Sequence, residues 1–416
     1  MSLVSRNWSE GFGLPPGCET FKFSLTKSQL SMHTCPVMEF VHKYSSMFLH
    51  VEIEYIHRSK EENLIKRWCW HFIEFLQILT SNSQLISVQF LNLSECFEHI
   101  DTATYANICG RIFLLLGSQH HLNRVEFRLC SFRFPEGVEI LRKLTENSRE
   151  SLTHLVLLEF ISYEPMDNVI LSFQDSLVIS LSTAAQNQLP SLVDFPSLTT
   201  LEIDYSFIFV NMVARHSTAI QTVQLVLSKI ILHYDNKIMP IDFRGLTSTD
   251  WRLLKTLCPD LQVEFIIHTD SPSRREVEFL IAPNMPITML EYACETFDME
   301  METGVLFDHL LACKNSDNLV FLKLLWASPI PVSTLIPFLQ ACRNLKCLEL
   351  SVQYSANGLD ILMQSLLENR PESLQKVLIH ILEFEDEDYE NWMRLASQYM
   401  SRLELEGLNA KVDSGF

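Results

Sequence analysis

At 416 residues and 48.2 kDa the chain is long for one compact core; at ~150 residues per domain it holds two or three domains, or it is a repeat array. Its formal net charge of −19 argues against a general affinity for nucleic acid or anionic membrane, since both need positive charge to engage phosphates. Only 11 glycines are present where average usage near ~7% gives about 29, and their one cluster is Gly11, Gly13 and Gly17, which disfavours a phosphate-cradling nucleotide enzyme.

In chain order, residues 1–12 (MSLVSRNWSEGF) put Leu3, Val4, Trp8 and Phe12 on one helical face. No apolar run of signal-peptide length follows, and nowhere do ~18 apolar residues occur together, so no targeting or membrane-spanning segment is expected. Residues 13–47 read as a connecting or capping segment in which Phe21–Leu25 alternates as a short strand.

From residue 48 one motif recurs, apolar-x-x-apolar-x-apolar. It stands at Leu85/Val88/Phe90, Leu122/Val125/Phe127, Leu152/Leu155/Leu157, Leu198/Leu201/Ile203 and Ile220/Val223/Leu225. It returns at Leu319/Leu322/Leu324, Leu345/Leu348/Leu350 and Leu374/Val377/Ile379, with looser copies at Leu49/Val51/Ile53, Leu261/Val263/Phe265, Ile287/Leu290 and Leu403/Leu405. Between these strands the period becomes helical, as in Leu359, Leu362, Met363, Leu366 and Leu367. The longest break, 160–197, is rich in Ser, Gln and Asn and reads as a long insertion; 411–416 reads as a tail.

The eleven cysteines, Cys18 to Cys347, are odd in number and contain no C-x-x-C, so they read as reduced thiols of the cytosol or nucleus rather than as a disulfide framework.

Strand and helix alternating at 26–29 residues in the C-terminal part resemble the leucine-rich-repeat family, over roughly residues 48–410. The resemblance implies an α/β solenoid of about ten to twelve repeats, with a parallel inner sheet and helices on the convex side. The family's Asn or Cys after the strand is mostly absent, although Cys130 falls at that position. The segment S-L-V-S-R-N-W, directly before the repeats, resembles the end of an F-box. It implies an F-box/leucine-rich-repeat protein, a substrate receptor of a Skp–cullin–F-box ubiquitin ligase, with Leu3, Val4, Trp8 and Phe12 toward the Skp adaptor and the cullin beyond it. The entry and first two helices of an F-box are missing, and a simple hydrophobic cap of the repeats fits the same residues.

On such strands the residues between the apolar ones face outward on the concave side. Candidate partner-binding residues are therefore Arg124, Glu126 and Arg128, then His154, Glu202 and Asp204, then Phe321, Lys323, Leu325 and Trp326, and Lys376. Arg124 and Arg128 suit bidentate capture of an acidic or phosphorylated segment, or ion pairing with Glu126 and the neighbouring strand. Phe321, Leu325 and Trp326 suit an aromatic anchor, or a position covered by the loop around Pro329 and Pro331. The acidic stretch Glu383–Glu390 precedes a helical pattern, and residues 281–416 hold 20 acids and 9 bases, so that end steers basic partners.

No H-E-x-x-H, G-x-S-x-G or P-loop motif is present; Ser24-Leu-Thr-Lys27 and His120-His121 match catalytic or metal patterns only by chance. The expectation is a non-catalytic receptor of an unidentified protein target, with no metal, cofactor, nucleic acid or membrane partner. The alternative is a leucine-rich-repeat scaffold or inhibitor with no ligase.

Overall fold

A computed structural model describes residues 19–32, 34–57, 61–162, 189–214, 225–237, 243, 245–270, 274–294, 303–329, 332–382 and 388–414. The chain divides into two compact units, Met1–Glu202 and Ile203–Phe416. Among the described residues thirteen strands follow one another in chain order, as an α/β fold with parallel pairing. Purely parallel neighbours require a crossover between strands, and helices supply it.

The first unit carries β1 (Thr20–Phe23), β2 (His50–Glu54), β3 (Ser87–Leu91), β4 (Arg124–Arg128) and β5 (His154–Leu158), and β6 (Thr200–Asp204) starts in it. Its helices are α1 (Lys27–Ser31), α2 (Pro36–Tyr44), α3 (Glu62–Asn82), α4 (Leu93–Phe97), α5 (Thr102–Ser118) and α6 (Phe134–Asn147). The motif residues Leu85, Val88, Phe90, Leu122, Val125 and Phe127 are all fully buried. Phe90 and Phe127 stack from adjacent strands with centroids 5.0 Å apart. Each such side chain contributes about 1.5–3 kcal/mol by leaving water. On α3 the buried set Leu64, Ile65, Trp68, Cys69, Phe72, Phe75, Leu76 and Leu79 follows the helical period. At the start of α5, Asp101 caps the helix by accepting from the Thr104 amide at 2.8 Å, which holds its carboxyl below the usual range.

A turn repeats at three strand ends of this unit. Asn92, Leu129 and Glu159, each the residue after its strand, have φ of 59°, 56° and 44°. The chain then drops Leu93, Cys130 and Phe160 into the core. The fully buried Cys130 thiol donates to the Phe90 carbonyl at 3.4 Å, across to the strand before it. Gly137, in the first turn of α6, is where the flank of the long insertion packs: an added Cβ would sit 2.6 Å from Ile161 Cδ1. The far flank is anchored by Leu189, Leu192 and Phe195, all buried. Residues 163–188 lie outside the described residues.

The second unit holds the end of β6, then β7 (Lys229–Asp235), β8 (Gln262–Thr269), β9 (Ile287–Cys294), β10 (Phe321–Pro329), β11 (Cys347–Gln353), β12 (Lys376–Leu382) and β13 (Asn409–Ser414). Its helices are α7 (Phe207–Ala214), α8 (Ser248–Leu257), α9 (Arg274–Leu280), α10 (Thr303–Ala312), α11 (Val332–Ala341), α12 (Ala356–Asn369) and α13 (Asp388–Leu405).

Three positions here differ from the sequence reading. A copy of the motif that the sequence reading did not name stands seven residues after the one expected at Ile220/Val223/Leu225, with Leu227, Ile230 and Leu232 buried and β7 starting at Lys229. Both frames satisfy the spacing, and both contain β-branched residues. Leu225 and Val226 are not in a strand, while residues 220–224 lie outside the described residues. Leu403 and Leu405 belong to α13, with Leu403 buried and Leu405 87% exposed. The last strand is Asn409–Ser414, within the segment read partly as a tail, and it pairs in register with β12 from Lys376↔Asn409 to Ile381↔Ser414. At the other end, β1 pairs with β2 from Thr20↔His50 to Phe23↔Ile53, so the strand array begins inside the segment read as a connector.

Candidate functional site: the outward faces of the strands

In the first unit the outward residues of β1–β5 fall in cross-strand rows fixed by register. One row runs His50, Ser87, Arg124, His154; the next runs Lys22, Glu52, Gln89, Glu126, Val156. The first row is tied by a 2.8 Å hydrogen bond between His50 Nδ1 and Ser87 Oγ. In the second row Lys22 Nζ lies 2.5 Å from Glu52 and 2.6 Å from Glu54.

The two arginines named from the sequence converge on carboxylates rather than standing free. Arg124 Nε donates to Glu126 Oε1 at 2.6 Å, and Arg128 Nε donates to Glu126 Oε2 at 3.0 Å. The fork of Arg128 then reaches past β5 to both oxygens of Glu202, at 3.0 and 2.8 Å. Glu126 is only 3% exposed, so two arginines satisfy a carboxylate that water does not reach. Burial works against the Arg128 charge, but hydrogen bonds to Glu202 and Glu126 outweigh it and raise its pKa. His154, beside them, is lowered by burial and then by the Arg124 charge, against the opposing pull of Glu126. The ion pairing expected with Glu126 is present, and the further partner, Glu202, stands two strands away on β6 rather than on the neighbouring strand. Asp204, two residues further along β6, is half-buried in the second unit.

The second unit's face has a different chemistry. Its registers align Glu264, Met289, Phe321, Cys347 and Lys376 in one row, and Ile266, Glu291, Lys323, Glu349 and Leu378 in the next. Lys323 Nζ bridges Glu291 at 2.9 Å and Glu349 at 3.7 Å. Burial acts to lower the Lys323 pKa, but the two glutamates prevail and raise it. Around this triad Ile266, Met289, Phe321, Leu325 and Leu378 are half-buried, and Lys376 is exposed. Trp326 occupies a register position between Cys294 and Val352, both buried, and its side chain lies outside the described residues.

Sequence reasoning missed Met289 and Glu291. The signal was present, because Ile287, Leu290 and Tyr292 satisfy the full motif once tyrosine is accepted as its third apolar residue. Leu3, Val4, Trp8 and Phe12 lie outside the described residues, as does most of the acidic stretch Glu383–Glu390. On the helical side of the second unit an open pocket is lined by residues including Phe243, Leu246, Arg275 and Phe279. Among the described residues no group of three or more His, Cys, Asp or Glu is placed to hold a metal, and no helix is long and apolar enough to cross a membrane. No protein-family model matches the chain, and no curated protein matches it.

Proposed function

We propose that this protein is a non-catalytic protein-binding receptor of the leucine-rich-repeat kind, which holds a target on the outward faces of its strands and serves a Skp–cullin–F-box type ubiquitin ligase. The observation that carries the binding reading is the outward face of β8–β11. There an aromatic and several aliphatic side chains stay half-exposed around a charged triad, on a sheet whose other side is a packed core. A large apolar group kept at a rigid surface costs solvation and is of use mainly to a partner. The ligase link rests on the F-box-like residues Leu3, Val4, Trp8 and Phe12. In this reading the receptor does no chemistry itself; it brings the target within reach of a conjugating enzyme.

The test is purification of the tagged full-length chain from cells, probed for the Skp adaptor and cullin, beside the double variant Leu3→Ala/Trp8→Ala. Adaptor and cullin recovered with the native chain and lost with the variant support the ligase role. Absence of both from the native chain removes it, and leaves the same faces to a scaffold or inhibitor.

A further inference from the structure

We infer that the outward face of the second unit is the docking site for a basic, apolar segment of a protein partner, with an aliphatic side chain against Phe321 and a lysine or arginine answering Glu291 and Glu349. The inference rests on the receptor reading above and deepens it by naming the chemistry of what is held.

Charge complementarity selects this occupant. Across β8–β11 the outward rows hold three carboxylates, Glu264, Glu291 and Glu349, against one ammonium, Lys323, with the lysines Lys229 and Lys376 on the bordering strands β7 and β12. Glu264 has its own partner, Lys229, at 2.7 Å. Lys323 is shared, and sits closer to Glu291 than to Glu349, 2.9 against 3.7 Å. Glu349 is thus the least neutralised carboxylate of the row, although its side chain is only 19% exposed. A cation arriving there meets a site already partly desolvated, where a charge-assisted hydrogen bond is stronger than at an open surface. The surrounding sequence reinforces the sign, since residues 281–416 carry 20 acids and 9 bases and attract basic segments over distance.

The apolar half of the recognition comes from the adjoining row. Phe321 is flanked in register by Met289 and Cys347, and Ile266 and Leu378 close the triad's row at either side. Along the strand direction these side chains alternate with charges, as Phe321, Lys323 and Leu325 do on β10, so a segment lying along the strands alternates too. The first unit shows the contrast. Two of its glutamates, Glu126 and Glu202, are tied to Arg124 and Arg128 in one closed network, and Lys22 lies within 2.6 Å of both Glu52 and Glu54.

Binding is measured with the full-length chain by fluorescence anisotropy, using three short labelled peptides of alternating Lys–Leu, Lys–Ser and Glu–Leu. The Lys–Leu peptide is expected to bind. Its affinity should fall at least ~10-fold for Phe321→Ala and for Glu291→Gln/Glu349→Gln, and hold for Arg124→Ala. The isosteric Gln pair guards against a folding artefact, checked by an unchanged thermal midpoint. Equal binding of Lys–Ser would reduce the effect to bulk charge, and equal binding of Glu–Leu to apolar adhesion; either overturns the inference. So does loss of affinity on Arg124→Ala, or indifference to both second-unit variants. Failure here with adaptor and cullin still recovered from cells leaves the ligase role standing; loss of adaptor and cullin with peptide binding intact removes the ligase role alone.

Discussion

The two outward faces use the same strand scaffold to opposite ends. In the first unit Arg124, Glu126, Arg128 and Glu202 form a closed ionic chain whose middle carboxylate is almost wholly buried. In the second unit a single lysine is stretched between two glutamates, with half-buried apolar side chains on both flanks. A closed network stiffens a surface and leaves little to gain from a partner; an open one with an aromatic beside it has contacts still to make. Sheet geometry does not distinguish them. The difference lies in how many opposite charges stand beside each carboxylate: two arginines flanking Glu126 on its own strand, against one lysine shared across strands by Glu291 and Glu349.

The helical sides of the units offer the largest expected effects. A Cβ added at Gly245 in the second unit would press on the Tyr205 hydroxyl and sit 2.8 Å from the Phe279 carbonyl oxygen, and that Tyr205 oxygen also accepts from the Leu246 amide at 2.7 Å. Gly245→Ala should therefore destabilise by about 2–3 kcal/mol in chemical denaturation, because a backbone atom and a hydrogen-bonded hydroxyl cannot step aside. For Gly137→Ala in the first unit, the atoms nearest the added Cβ belong to the side chains of Ile161 and Phe160. Rotation of Ile161 and the better helix propensity of alanine should hold the cost under about 1 kcal/mol. Equal losses at the two sites would undo this contrast.

The faces themselves come next. Glu126→Ala strands Arg124, 48% exposed, leaves Arg128, 33% exposed, to Glu202 alone, and should cost about 1–2 kcal/mol in the same measurement, discounted for that exposure. Glu349→Ala removes a 3.7 Å contact that Lys323 replaces through Glu291, and should cost less than about 0.5 kcal/mol. A larger loss at Glu349 than at Glu126 would mean that the second face, not the first, is the cross-braced one.

The smallest effect is one of pH. His154 and His71 both titrate below the ordinary 6.5 in the folded chain, each chiefly through burial. The unfolded chain then binds more protons than the folded one as pH falls through 6.5, so the free energy of unfolding falls with it and is recovered above that value. Replacing Arg124 by Gln removes the second cause at His154. Its imidazole resonances, followed by NMR, should titrate at higher pH while those of His71 stay in place. No movement at His154 would show that burial alone depresses it.

Much of this was legible in the residue order. A six-residue motif with three inward apolar positions specifies a strand and its facing at once, because side chains alternate. Val88, Phe90, Val125, Phe127, Leu348 and Leu350 accordingly point to the core as their spacing requires. The reading failed where the pattern was locally ambiguous. Two frames of the motif follow one another closely at 220–225 and 227–232, and the second leads into β7. At the C-terminus the helical period of α13 continues through Leu403, while the edge strand Asn409–Ser414 has too few apolar residues to announce itself. Its place follows from backbone pairing with β12, an interaction that leaves no mark on composition.

The sequence by itself determined the alternation of strand and helix, the sign of the charge and which residues face outward, since all three follow from local period and count. Only the tertiary structure decided which outward charges are already spoken for. Glu202 lies 74 residues from Arg128, with the long insertion between them, and their bidentate pairing exists because parallel strands bring distant segments within two strand spacings. Glu126 is held by arginines two residues to either side on its own strand, whereas the neutralisation of Glu349 and Glu202 depends on residues across the sheet that only the fold brings near.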